Sequence, residues 1–145
     1  MPKDALDREL ITLLQTNARE STANLARKLG VARTTVVARL ARLEREGVIV
    51  GYTVRLGLDD QRPQVRAFVG ITLQPKRARD VTAQLQRLPE LLQLSSVSGE
   101  FDCIAILRAD TTARLDALLD QIGEMDGVQK TTTSVVLAVR VDRGA

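Results

Sequence analysis

The stretch STANLARKLGVARTTVVARLARLEREGVIV, residues 21–50, decides the fold of the first part of this 145-residue chain. Ser21 is a favourable N-cap for a helix over residues 22–29, because its hydroxyl can accept a hydrogen bond from an unpaired N–H of the first turn. Gly30 follows directly, where a helix end favours a residue that tolerates a positive φ. Apolar residues then return at helical spacing over residues 32–46. The stretch therefore predicts two short helices joined by a tight glycine turn.

Two further segments complete this first unit. Leucine and isoleucine side chains recur at helical spacing over residues 4–17, which predicts a helix before the quoted stretch. Residues 48–56 read as a strand or a short hairpin that follows the helices. Together these segments predict a winged helix-turn-helix, a DNA-binding domain, over residues 1–56.

The charge of the first unit is concentrated in the quoted stretch. Between residues 27 and 45 six cations stand against Glu44 alone, whereas the whole chain carries a net charge of +3. The cations are Arg27, Lys28, Arg33, Arg39, Arg42 and Arg45. A local excess of this kind attracts the phosphate backbone of nucleic acid. A basic helix face can equally be solvated surface, so the charge gains weight only together with the helix-turn-helix spacing.

A recognition helix places its N-terminal residues at the base edges of the DNA major groove. The residues at that end of the third helix, and one turn further on, are predicted to contact bases: Arg33, Thr34, Thr35, Ala38 and Arg39. Arginine and lysine further from the groove would meet phosphates, as would the free N–H groups that begin the second helix. These predicted phosphate contacts are Ser21, Thr22, Arg27, Lys28, Arg42 and Arg45.

The second part of the chain has a different periodicity. Residues 57–64 are polar and turn-rich, and we interpret them as a linker. Residues 65–145 then alternate between strand and helix patterns in the order strand, helix, strand, strand, helix, strand. The expected strands are 65–73, 91–98, 103–109 and 128–141, and the helices lie around 81–88 and from about 111 to 126. This order predicts a ferredoxin-like (βαββαβ) domain, and the whole chain is therefore of the α+β class.

In such a domain the two helices cover one face of the sheet only. The other face still carries apolar side chains and has no cover within the chain, and an exposed apolar face of that kind predicts a partner. A second copy of the same sheet is the simplest partner, so we expect a homo-oligomer.

The composition argues against several function classes. The chain has no histidine, which removes the commonest general base and the commonest metal ligand. The single cysteine, Cys103, allows no intrachain disulfide and suits a reducing cytoplasm. No glycine-rich phosphate-binding motif and no apolar run of about 18 residues is present. We therefore expect no enzyme, no cofactor, no metal site and no membrane span.

The helix-turn-helix stretch resembles that of the Lrp/AsnC family, the feast/famine transcription regulators. The second half is similar as well, because VSGEFD at 97–102 resembles the family's V-T-G-D-Y-D turn and TTTSVVLAV at 131–139 resembles its closing strand. Ala32 stands where the family often has a capping serine. In the first half the matching residues are Ser21, Leu25-Ala26, Leu29-Gly30-Val31, Thr35-Val36, Arg39-Leu40, Arg42-Leu43-Glu44, Glu46-Gly47-Val48-Ile49 and Gly51-Tyr52.

The resemblance implies dimers that often assemble into octamers, and a small effector, typically an amino acid, bound between subunits. The effector-binding residues that it implies are Gly99, Glu100, Asp102, Thr131, Thr132, Thr133 and Ser134. Carboxylates can accept an α-ammonium group, and hydroxyls or turn amides can hold an α-carboxylate. The glycine turn can also be a plain hairpin, and the threonine run can reflect β-propensity alone.

The sequence therefore predicts a cytoplasmic, sequence-specific regulator of transcription that binds double-stranded DNA. It is expected to assemble as a dimer or an octamer and to respond to an amino acid. The alternative is an amino-acid-binding metabolic sensor whose helix-turn-helix serves protein contacts, and strong salt-dependent binding to duplex DNA would argue against it.

Overall fold

The computed structural model of the protein describes residues 4–57 and 61–143. It consists of two compact units, Met1–Leu58 and Asp59–Ala145. Each unit has a hydrophobic core of its own. No helix among the described residues is long and apolar enough to cross a membrane.

The first unit contains three helices, α1 (Ala5–Thr16), α2 (Thr22–Leu29) and α3 (Arg33–Arg45). Their apolar stripes meet in one core, whose buried members are Leu10, Leu14, Leu25, Ala26, Val36 and Leu43. Gly30 ends α2 with a φ of 67°, and the N–H of Val31 then donates to the carbonyl of Ala26 at 3.0 Å. This left-handed residue makes the tight turn that the sequence predicts between α2 and α3.

The segment after α3 differs from its prediction. Residues 48–57 form no strand, so the strand or short hairpin that was to be the wing is absent from the described part of the chain. Part of the segment instead packs on the first helix, where Ile49 and Tyr52 border a small cavity with Ile11 and Leu14. A strand requires a neighbour for its backbone hydrogen bonds, and this segment has no strand beside it.

The second unit is a four-stranded antiparallel sheet with two helices. The strands are β1 (Val65–Leu73), β2 (Leu91–Ser96), β3 (Cys103–Ala109) and β4 (Val128–Val135), and the helices are α4 (Ala78–Gln86) and α5 (Thr112–Gly123). The strands lie in the order β2-β3-β1-β4, with every neighbouring pair antiparallel. This arrangement confirms the predicted ferredoxin-like domain and the α+β class.

Both helices pack against one face of this sheet. Alternate residues of β1 and β3, such as Val69 and Ala105, are fully buried in that core with Leu85 of α4 and Leu118 of α5. The opposite face carries Phe68, whose side chain is 43% exposed. One face is therefore covered and the other open, as the strand periodicity predicts.

The last strand is shorter than predicted. β4 ends at Val135 and not at residue 141, and its paired register with β1 stops where Val135 lies opposite Ala67. The N–H of Val136 makes the last contact, a 2.8 Å hydrogen bond to the carbonyl of Arg66. Residues 136–143 continue without a strand partner among the described residues.

Candidate nucleic-acid interface and effector turn

The N-terminal half of α3 and the start of α2 border an open depression of about 340 Å³. It is lined by Thr22, Arg33, Thr34, Val37 and Ala38. Four of these five residues are DNA contacts predicted from the sequence, and Val37 is the addition. The depression therefore joins the first turn of α2 to the first two turns of α3 in one surface.

One face of α3 is exposed and carries no charge. Thr34, Val37, Ala38 and Ala41 follow the i, i+3, i+4, i+7 spacing of a single helix face, which we call the reading face. All four are exposed, and Val37 is 56% exposed although it is a large apolar residue. The core of the unit holds the opposite side of α3. The reading face is thus free to meet a partner in the described structure.

Arg39 and Arg42 leave the reading face and turn toward α1. Nη1 of Arg39 donates to the carboxylates of Asp4 and Asp7, the second at 3.1 Å, and Nη2 of Arg42 donates to Asp7. Asp7 is fully buried, whereas the side chains of Arg39 and Arg42 are 26% and 39% exposed. We call these four residues the carboxylate–arginine cluster. Both guanidinium groups hold α3 against α1 in the described structure, and the base contact of Arg39 and the phosphate contact of Arg42 stay predictions.

The contact between Asp4 and Arg39 favours the charged state of these two groups. The hydrogen bond from Arg39, together with the N–H of Asp7, lowers the pKa of the Asp4 carboxyl. The same contact with Asp4, followed by the contact with Asp7, raises the pKa of the Arg39 guanidinium. Asp4 also caps α1, since its Oδ1 accepts the N–H of Asp7 at 2.9 Å. The aspartate therefore serves both the helix start and the ion pair.

Some of the DNA contacts predicted on α2 have a carboxylate partner inside the chain, and others do not. Nζ of Lys28 lies 2.8 Å from Oε2 of Glu20, and this contact is the main reason that the pKa of Glu20 is lowered. The ammonium of Lys28 therefore has an internal partner, and its phosphate contact stays a prediction. Arg27 donates only to the amide oxygen of Asn24, at 3.0 Å, and keeps its charge uncompensated there. Oγ of Ser21 accepts the N–H of Asn24 at 3.1 Å and so caps α2.

The remaining predicted contacts lie at the two ends of α3. Arg33 and Arg45 are exposed and make no ion pair with any described residue. Thr35 is partly buried on the side of α3 away from Val37, and its N–H donates to the carbonyl of Ala32 at 3.0 Å. The side chain of Ala32 makes no cap at the start of α3, as the sequence predicts.

The turn before β3 is the first part of the implied effector site. Gly99 has a φ of 108°, and Glu100 is exposed beside it. The Asp102 carboxylate accepts the N–H of Leu73 at 2.7 Å, so one of its oxygens holds the turn to the end of β1. The ring of Phe101 lies over Gly70, where a Cβ atom would come within 2.6 Å of it. The turn is therefore fixed to the open sheet face.

The threonine run on β4 is the second part of the implied effector site. β4 pairs with β1, and its side chains alternate between the two sheet faces. Thr132 and Ser134 lie on the open face, whereas Thr131 and Thr133 lie on the face that the helices cover. The four hydroxyls therefore do not form one cluster within a single chain.

Sequence reasoning missed two residues of the first unit, Val37 and Asp7. Val37 was not among the predicted DNA contacts, because an apolar residue on a helix normally faces the core. Its position three residues after Thr34 is the signal that could have placed it on the reading face. Asp7 was not among the predicted site residues, because its pairing with α3 depends on tertiary packing.

Two family models match this chain. The model described as the AsnC-type helix-turn-helix domain matches residues 4–44, and the model described as the Lrp/AsnC ligand binding domain matches residues 66–145. Among the similar proteins is an uncharacterised HTH-type transcriptional regulator of Pyrococcus furiosus. It is 33% identical over 139 residues, which cover 96% of this chain and 94% of the relative.

Solved structures agree with these matches. The structure of AsnC from Escherichia coli has a TM-score of 0.82 and 26% identity, and the alignment covers 100% of this chain and 99% of that one. A transcriptional regulator of Neisseria meningitidis, in complex with L-methionine, has a TM-score of 0.79 and 23% identity. That alignment covers 97% of this chain and 94% of the other.

Proposed function

Because this chain belongs to the Lrp/AsnC family of transcriptional regulators, we propose that it binds specific sites in double-stranded DNA and that an amino acid controls this binding. The relatives are regulators and not enzymes, in agreement with the sequence analysis. The observation that carries the proposal is the uncharged, exposed reading face of α3 beside the exposed Arg33. We assign DNA binding to residues 1–56, a linker to 57–64, and assembly and effector binding to 65–145, in the cytoplasm.

The DNA contacts that we propose first are residues with no carboxylate partner among the described residues. Side chains of the depression would meet base edges, and exposed arginines together with the start of α2 would meet phosphates. These contacts are Ser21, Thr22, Arg27, Arg33, Thr34, Val37, Ala38 and Arg45. Because a dimer presents two such units, the operator is proposed to be pseudo-palindromic.

The proposed effector site combines the turn at Gly99–Asp102 with hydroxyls of a threonine run, and we propose that two chains contribute to it. The oxygens of Glu100 are exposed and can accept an α-ammonium group. The hydroxyls of Thr132 and Ser134 are available on the open face to bind a carboxylate. The complex of the Neisseria meningitidis regulator with L-methionine supports an amino acid as the ligand class.

The open sheet face supports a homodimer, because Phe68 and its neighbours would otherwise leave apolar surface in water. We propose that dimers of this kind can assemble further into octamers. Light scattering of the purified protein, with and without each free amino acid, tests both points. A shift of mass with one amino acid supports the effector role, and a single mass unaffected by every amino acid contradicts it.

DNA binding is tested by selecting duplexes from a random library and measuring their dissociation constants by fluorescence anisotropy. We expect one sequence class to bind at least tenfold more tightly than scrambled duplexes, with strong weakening by salt. Binding that ignores both sequence and salt would instead favour the sensor that acts through protein contacts.

A further inference from the structure

We propose that the reading face recognises the methyl groups of thymine, so that each operator half-site carries thymine at the base pairs opposite Val37 and Ala38. This inference rests on the proposed function and names the bases that the site would accept. It combines the chemistry of the reading face, the positions of the arginines and the charge around the depression.

The first step is the chemistry of the exposed surface. Val37 offers an isopropyl group at 56% exposure, next to the methyl groups of Ala38 and Ala41 on the same helix face. None of these three side chains can donate or accept a hydrogen bond. Thr34 adds one hydroxyl and one methyl group at the N-terminal end of the face. The centre of the surface can therefore make only apolar contacts.

The second step is that no arginine is available at the centre of the reading face. An arginine opposite a base normally selects guanine through O6 and N7. Arg39 and Arg42 are held by Asp4 and Asp7, so neither guanidinium is available at the centre of the reading face. Arg33 remains at the N-terminal edge of the depression and can select one guanine there. Guanine recognition is therefore confined to the edge of each half-site.

The third step identifies the occupant. Arg33 lines the depression beside the reading face, and Arg27 and Arg45 belong to the same unit. All three are exposed and make no ion pair with any described residue. An apolar strip with uncompensated cations beside it complements the DNA major groove, where base edges lie between two phosphate backbones. Duplex DNA satisfies both features of this surface at once.

The fourth step selects the base. In the major groove, thymine alone among the four bases presents a methyl group. All four base pairs also present hydrogen-bonding groups there that Val37 and Ala38 cannot bond to, so the methyl group is the feature that distinguishes a T·A pair at these side chains. A thymine methyl instead buries apolar surface against Val37 and Ala38. The surface therefore favours T·A pairs at its centre.

Deoxyuridine provides the test, because it keeps every hydrogen-bonding group of thymine and lacks only the methyl group. The selected duplex is compared with duplexes that carry deoxyuridine either inside the half-sites or in the flanks. We expect binding to weaken about fourfold for each contacted methyl group that is removed inside the half-sites. The flanking substitutions, which are the matched control, should leave the dissociation constant unchanged.

The Val37→Ala variant links this loss to one side chain. Val37 is largely exposed, so the variant should fold, and its thermal midpoint verifies this. The ratio of the two dissociation constants, deoxyuridine over thymine, should fall toward one in Val37→Ala and stay at its original value in Arg39→Ala. Specific binding that is equally tight to both duplexes overturns the inference and leaves the proposed function intact. Absence of any sequence preference overturns the proposed function itself.

Discussion

Asp7 is a fully buried carboxylate in α1, and it meets guanidinium groups from two successive turns of α3. A charge taken out of water is stable only when it is paired, and removal of one partner leaves the others uncompensated. Asp7 therefore stabilises the contact between α1 and α3, and the two arginines that it binds are tied to the fold of the first unit.

Replacing Asp7 by asparagine should destabilise the first unit by roughly 2–3 kcal/mol. This is less than the cost for a fully buried pair, because both arginines are partly exposed. Urea unfolding of the purified protein measures the change. Asp4→Asn is the matched control, since asparagine can still cap α1 and the Asp4 side chain is 54% exposed. Equal unfolding midpoints for the two variants would contradict a special role for Asp7.

Arg33 and Arg39 should respond differently to truncation. Arg33→Ala should weaken specific DNA binding by about 1–3 kcal/mol, because an arginine at the edge of a half-site can pair with a base. Arg39→Ala should leave the preference for the selected sequence over a scrambled duplex unchanged and lower the urea midpoint instead. Fluorescence-anisotropy titrations of both variants with the selected and the scrambled duplex measure these changes. A larger loss of sequence preference in Arg39→Ala would restore the contact that sequence reasoning assigns to it.

Arg33 and Arg39 also show the limit of sequence reasoning for single residues. Both lie on a basic helix, and their spacing alone does not distinguish a groove contact from an ion pair. The decision depends on Asp4 and Asp7, which lie more than thirty positions earlier and approach only when the helices pack. Thr34 and Ala38 were predictable as exposed because they lie opposite Val36 on the helix.

At the scale of elements, the helix start at an N-cap residue and the helix end at a glycine were predictable, because both depend on local sequence. Ser21 caps α2 and Gly30 ends it, at the positions that the sequence predicts. The strands β1 and β3 likewise match their predicted bounds. The predicted wing and the predicted end of β4 were wrong, because a strand exists only where its backbone pairs with a neighbour, and a single sequence does not reveal where that pairing stops.

The start of α3 lacks a side-chain cap, although Ala32 has the extended backbone of an N-cap residue. Ala32→Ser should therefore stabilise the first unit by about 0.5–1 kcal/mol, since a serine hydroxyl there could accept the N–H of Thr34 or share that of Thr35, which already donates to the carbonyl of residue 32. Thermal unfolding measures the gain. Ser21→Ala is the reciprocal control and should lose about 1 kcal/mol from α2. An unchanged melting temperature in Ala32→Ser would contradict this expected gain.

At the scale of the whole molecule, ion pairs inside the chain reduce the number of cations that are free to bind DNA phosphates. Six cations lie between residues 27 and 45, and Lys28, Arg39 and Arg42 have carboxylate partners inside the chain. We plot the logarithm of the DNA-binding constant against the logarithm of the salt concentration. The cations of this stretch should contribute a slope of about −3 per helix-turn-helix unit, whereas six free cations would contribute about −5. Titrations against potassium chloride measure the slope.

Single variants provide the control for that slope. Arg27→Ala and Arg45→Ala should each reduce its magnitude by about one, because each removes a phosphate contact. Lys28→Ala should leave it unchanged, since Glu20 already neutralises the ammonium. An equal reduction in all three variants would show that the pair with Glu20 opens when DNA binds.

The separation between the reading face and the carboxylate–arginine cluster has a consequence for the descent of such regulators. Thr34, Val37 and Ala38 are exposed and belong to neither the core nor the cluster, so exchanging them leaves the fold nearly untouched. Duplicated copies of a gene like this one could therefore acquire new target promoters through a few codon changes on α3. Asp7 and its arginines would be inherited unaltered while the regulatory network around them diverges.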